Sequence, residues 1–150
     1  MKNIFDKSVS EEVIGRIEKL TPSSQPLWGK MNVGQMLAHC NVAYDLVYDN
    51  NRPKLGGLKK FFLKLFVKNI VVSEKPYKKN SPTASEFIIA DERDFESEKT
   101  RLTEHIKKTQ KLGKPFFDQR ESHSFGKLNM TEWNNMFYKH LDHHLNQFGV

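Results

Sequence analysis

The chain has 150 residues with 37% hydrophobic and 28% charged side chains, an ordinary balance for a single domain with one core. The 24 Lys and Arg against 18 Asp and Glu give a formal charge of +6, and no stretch is apolar enough for a transmembrane helix. The first residues, MKNIFDKSVSEEV, lack the apolar run of a secretory signal, so a cytoplasmic protein is expected. Cys40 is the sole cysteine, which excludes an internal disulfide and a cysteine-rich zinc site and leaves His or carboxylate as metal ligands.

In chain order, the periodicity first predicts a helix over residues 9–20, with Ser8 and Glu11 as a capping box. The segment TPSSQP, 21–26, breaks it. A second helix is expected over 33–48, capped by Asn32 with Gln35. Its apolar set, Val33, Met36, Leu37, Cys40, Ala43, Tyr44 and Val47, covers one broad face and leaves Asn41 and Asp45 pointing away. NNRPKLGG, 50–57, reads as a loop. Residues 58–72 then alternate apolar side chains (Leu58, Phe61, Phe62, Leu65, Ile70) with Lys59, Lys60, Lys64 and Lys68, an amphipathic helix. We expect its apolar face to pack on the protein's own helices in preference to a membrane surface, and the lysine-rich stretch 54–79 to be a solvated rim. No recognised nucleic-acid motif accompanies those lysines.

Residues 73–90 read as a long loop, extended at 86–90. A third long helix is expected over 92–112, capped by Asp91 and ended by Gly113 and Pro115. Its thin stripe of Phe95, Leu102 and Ile106 suggests a peripheral position, with His105 solvated. The last helix is expected over 130–147, with Asn129 and Glu132 as its capping pair. The pattern as a whole predicts an all-α single domain over 1–150, a four-helix bundle with an extra helical segment.

The segment KHLDHHLNQF carries the chemistry. His140 and His144 are four apart and share a helix face, where two imidazoles can reach one ion. Trp133, Phe137, Leu141 and Phe148 mark the inward side. At about 100° per residue, His140 and His144 straddle it, His143 falls at the rim, and Lys139 and Asp142 point outward. Histidines on an apolar face are costly without partners. His39, in MLAHC on the most apolar helix, is the candidate third ligand. His123, in the loop ESHSFG, either approaches the site or caps the helices. Each histidine alone also suits an ordinary core or surface position; three inward ones together suit a divalent metal equally well.

Two motifs carry a resemblance. The segment LTPSSQPLWGKMNVGQMLAHC, 20–40, and the segment HSFGKLNMTEWNNMFYKHLDHHLNQFG, 123–149, are similar to those of the DinB/YfiT-like superfamily of small bacterial helical proteins. Within it, the closest likeness is to an uncharacterised domain family. The terminal His-x-x-His-His-x-x-Gln arrangement is the most specific part. The resemblance implies a DinB-like four-helix bundle of up-down-down-up topology, frequently dimeric. It implies a three-histidine site for zinc or nickel, matching His39, His140 and His144. Ser124 stands where a proline is expected, which weakens any role for His123. The implied activities are metal-dependent thiol transfer and metal-assisted hydrolysis of an unknown small-molecule substrate. The alternatives are a non-catalytic binding or dimerisation module and a basic surface for nucleic acid or membrane. The spacing lacks the Glu of a His-Glu-x-x-His metalloprotease, since Leu141 stands there.

Overall fold

The computed structural model describes residues 1–49 and 55–150; most of the loop expected at 50–57 lies outside them. The described chain is mostly helical, with helices α1 (Lys7–Glu18), α2 (Val33–Tyr48), α3 (Gly57–Phe62), α4 (Lys68–Val72), α5 (Phe95–Phe117) and α6 (Met130–Gln147). A π-helical turn, Leu63–Val67, joins α3 to α4 without a break, and a 3-10 turn occupies Ser85–Phe87. A small antiparallel hairpin, β1 (Arg120–Ser122) and β2 (Gly126–Leu128), precedes α6 and pairs Glu121 with Lys127. This hairpin corrects the purely helical expectation. Gly126 supplies the positive φ of 77° that the turn needs, and Ser122 Oγ accepts a bond from the Phe125 amide.

α1, α2, α5 and α6 pack on one another around one core. α2 begins as predicted: Asn32 Oδ1 accepts from the Gln35 amide at 2.8 Å and Gln35 Oε1 accepts from the Asn32 amide at 3.1 Å, a reciprocal cap worth about 1 kcal/mol. α6 carries the same box between Asn129 and Glu132. The predicted cap of α1 is absent. The helix starts earlier, with Ser8 inside it and Asp6 at the N-cap position, where the Asp6 carboxylate instead accepts from the Asn3 amide.

The aromatic centre is built by α2, α5 and α6. Tyr44 stacks on Phe137 at 4.8 Å, Phe137 on Trp133 at 5.5 Å, and Phe117 meets both rings. Fully burying each such ring stabilises the fold by about 1.5–3 kcal/mol. Phe117 reaches the centre because the helical path of α5 breaks at Gly113, whose φ of 68° and ψ of 178° redirect the last turn. Gly113 is therefore the predicted stop, with one more turn beyond it. The start of α5 moves to Asp94, which caps the Ser97 amide at 2.7 Å.

α5 is not peripheral. Its apolar stripe is thin because buried polar side chains complete the face. Thr109 shares a 2.7 Å hydrogen bond with the Tyr48 hydroxyl, and Glu98 accepts from Asn41 Nδ2 at 2.8 Å. Asn41 is fully buried rather than outward, and Asp45 pairs with Arg101 at 3.0 Å. His105 is half-buried, stacked on Tyr44 at 5.3 Å, with Nδ1 3.0 Å from Asn41 Oδ1. Lys139 also departs from its outward expectation. Its ammonium donates to the carbonyls of Ile70 at 2.8 Å and Lys75 at 3.1 Å and to that of Ser73, binding the C-terminal end of α4. Burial pushes its pKa down to about 8.

The 58–72 segment is helical as predicted, but turned over. Leu63, Val67, Val71 and Val72 face the core. Lys59, Lys60 and Lys68 reach inward along the flanks to Glu86, Glu121 and Glu132. The stripe expected to pack inward faces out. Among the described residues, no helix is long and apolar enough to cross a membrane.

Candidate metal centre

Three helical positions converge near the 3-10 turn. His39 comes from the middle of α2, His140 and His144 from successive turns of α6. One ring nitrogen from each lies within 4.8 Å of the other two. The Nε2 atoms of His39 and His140 are 2.9 Å apart. His39 and His144 are buried and His140 is partly so.

The outer hydrogen bonds fix which nitrogen of two rings is bare. His39 Nδ1 lies 2.8 Å from the Phe87 carbonyl, which can only accept, so Nδ1 carries the proton and Nε2 presents its lone pair. Gln147 Nε2 donates to the Trp28 carbonyl at 2.6 Å, which orients the amide and leaves Oε1 to accept from His144 Nδ1 at 2.8 Å. His144 Nε2 is bare by the same reasoning. Ligating histidines usually have the far nitrogen tied in this manner, which sets the tautomer and raises basicity. With His39 Nε2 bare, the short contact to His140 Nε2 needs a proton on the latter. A cation between the rings would replace that proton.

The donor set suits a small divalent ion. Nitrogen ligands at about 2.0–2.1 Å in a tetrahedral site stand roughly 3.3 Å from each other. The observed cluster, from 2.9 Å to at most 4.8 Å, brackets that spacing, so ring rotations that move a nitrogen by up to about 1.5 Å would seat an ion. Burial first, and then the neighbouring imidazoles, hold His140 well below the ordinary imidazole range. Burial brings His144 down to about 3 and lowers His39 also. All three are therefore neutral at pH 7, the form that binds metal.

The surroundings are aromatic. The Phe87 ring meets His39 at 5.4 Å and His140 at 5.8 Å. His143 sits half-buried at the rim, edge-on to Trp28 at 5.9 Å and to Tyr77 at 5.6 Å. These three residues help line a cleft of about 240 Å³, where Lys79 stands 4.2 Å over Trp28. His123 lies in the hairpin turn and is not part of the cluster. Asp142 pairs with Arg16 at 2.7 Å, away from the three rings as expected.

Gln147, Gly29 and Phe87 support the cluster and were not singled out as site residues by spacing. Gly29 has φ 84°, and a Cβ there would stand 2.5 Å from Gln147 Nε2. Only glycine lets the 27–29 segment lie against the end of α6, where Leu27 N also donates to the Gln147 carbonyl at 2.7 Å. The W-G-K-M stretch and the terminal His-x-x-His-His-x-x-Gln run thus meet at one amide side chain. The glutamine three residues after His144 was the sequence signal for it.

No curated protein and no solved structure matches the chain. Residues 5–149 match DUF1569, a family described as protein of unknown function, and the chain belongs to that family.

Proposed function

We propose that this DUF1569 chain is a divalent-metal-binding protein that uses His39, His140 and His144 as ligands, for zinc or nickel, and acts as a metal-dependent transferase or hydrolase. The observation that carries the reading is the pair of tied Nδ1 atoms, on Phe87 O and on Gln147 Oε1, which leave two bare Nε2 atoms aimed into one cluster. Burying three imidazoles without such a purpose would cost stability. The reading of the fold as DinB-like rests on four mutually packed helices and on the histidines' places, one on the second and two on the last.

When bound, the ion would supply Lewis acidity toward a thiol or a water molecule. The protein's own groups do the rest. The Phe87 ring, against His39 and His140, restricts water on that side of the cluster. His143, neutral and half-buried at the rim with its ring 5.0 Å from that of His144, is placed to carry a proton between the cleft and the cluster. Among the described residues, no carboxylate joins the three-histidine group. That feature favours thiol transfer, which needs no strong general base, over hydrolysis. It is also the observation behind a second reading, a non-catalytic helical module.

Elemental analysis of protein purified without a histidine tag should find about one divalent ion per chain, and His144→Ala should lose it. Stoichiometric metal retained in that variant would overturn the ligand assignment. Screening thiol acceptors and esters with metal-loaded protein separates the two readings: turnover abolished by chelation supports the enzyme, and none across the screen supports the module.

A further inference from the structure

The helical run from Gly57 to Val72 has its apolar and basic residues in places that a self-contained domain would not choose. Leu58, Phe61, Phe62, Leu65, Phe66 and Ile70 all point outward, from 51% exposed for Phe62 to 74% for Leu58. They form one stripe. Phe62 lies over Phe66 at 6.1 Å with nearly parallel rings, and Phe61 meets Phe62 edge-on at 6.0 Å. The π-helical turn at Leu63–Val67 keeps the stripe continuous. A strictly 3.6-residue repeat would carry Ile70 toward the lysine flank; the wider turn holds it in line with Leu65 and Phe66 while Val72 enters the core.

Lysines border the stripe. The run from 57 to 72 contains four lysines and no acidic residue. Beside Phe61 a groove of about 580 Å³ is bounded by Lys60, Lys64, Lys68 and Lys127. Glu121 stands in that groove, 2.6 Å from Lys60, and Glu132 holds Lys68 at 2.7 Å. With Lys59 and its partner Glu86 included, five lysines face three glutamates, so the border is net positive.

We propose that this face seats the protein on an anionic phospholipid surface, with the stripe entering the acyl boundary and the lysines meeting headgroup phosphates. An interfacial helix needs an apolar face flanked by basic side chains, and lysine stems can lie along the apolar face while their ammonium groups reach phosphate. Charge selects the occupant. Pairing the stripe with its counterpart on a second copy would set one net-positive border against another. Nucleic acid would leave six large apolar side chains in water. The helix lies parallel to the surface it meets.

The test is co-sedimentation of the full-length, metal-loaded protein with vesicles of phosphatidylcholine alone or of phosphatidylcholine mixed equally with phosphatidylglycerol, at low salt. Binding to the mixed vesicles, at least about tenfold weaker to phosphatidylcholine alone, supports the proposal. The double variant Phe62→Ser, Phe66→Ser should lose about tenfold or more, with helical content and metal content unchanged. Lys64→Glu, which leaves the stripe intact, should weaken binding severalfold. Absence of binding to the mixed vesicles overturns the proposal, as does a double variant that binds like the wild type. A wild-type dimer in light scattering that the double variant turns into a monomer assigns the stripe to a second copy instead.

Discussion

Replacing Gln147 with leucine probes the support of the metal centre while leaving all three ligands in place. The side chain is 3% exposed, and leucine nearly matches its volume, so the packing cost is small. Two hydrogen bonds go: the Trp28 carbonyl loses its donor and the His144 Nδ1 proton loses its acceptor. Each stranded group costs about 1–3 kcal/mol where water cannot replace the partner. Trp28 is half-buried, so a loss of about 2–3 kcal/mol in total is expected in denaturation of the metal-free protein. The ring of His144 is then free to rotate and to change tautomer, and zinc affinity should fall about 10–100-fold, measured by competition with a chromophoric chelator. Gln147→Glu separates the two bonds. Its carboxylate still accepts from His144 Nδ1 but cannot donate to Trp28. It should keep zinc affinity close to that of the wild type while losing stability. If Gln147→Leu folds and binds zinc as tightly as the wild type, the argument that the outer hydrogen bond orients His144 is wrong.

Gly29→Ala should lose about 1–3 kcal/mol, since its φ of 84° and the 2.5 Å approach of a Cβ to Gln147 Nε2 both oppose a side chain; unchanged thermal and chelator-competition curves would refute the close-approach reading. The metal-free protein should weaken in acid through His144. Its folded pKa, about 3, lies below the unfolded value near 6.5, so the unfolded chain takes up the proton first. The contribution is complete above pH 6.5 and falls by about 1.4 kcal/mol for each pH unit below it, until the folded value is reached. Denaturation midpoints between pH 7.5 and 5.5 should therefore decline less steeply in His144→Ala than in the wild type, and equal slopes would refute the assignment.

The helices α2 and α6 were legible in the sequence to the residue because their caps are local. Asn32 with Gln35 and Asn129 with Glu132 satisfy amide groups three residues away and need nothing else. The separation of His144 from His143 was legible for a similar reason, since it depends on one helix's period. What failed depended on tertiary partners. Asn41 read as pointing away because it is polar, yet it satisfies Glu98 inside the α2 and α5 contact. Lys139 read as outward until the end of α4 brought it backbone carbonyls. The Ser85–Phe87 turn, 48 residues from His39 in sequence, has no periodic signature, so Phe87 could not be foreseen as the partner of that ring.

The inversion of the 57–72 helix follows from the same limit and bears on how the two halves of the molecule fit together. A helical wheel says that apolar and basic faces are opposed; it cannot say which one the protein keeps. Here three carboxylates supplied from elsewhere, Glu86, Glu121 and Glu132, draw lysines against the body. Exposed ion pairs contribute little each, so they do not by themselves outweigh six large apolar side chains in water. The burial of Leu63, Val67, Val71 and Val72 supplies the remainder, which makes the helix apolar on two sides, not one. Glu86 belongs to the turn that also presents the Phe87 carbonyl to His39. The Lys59 to Glu86 pair therefore connects the exposed helix to the wall of the histidine cluster. Any partner that displaced Lys59 from Glu86 would act on that wall first, through the hydrogen bond that fixes the tautomer of His39.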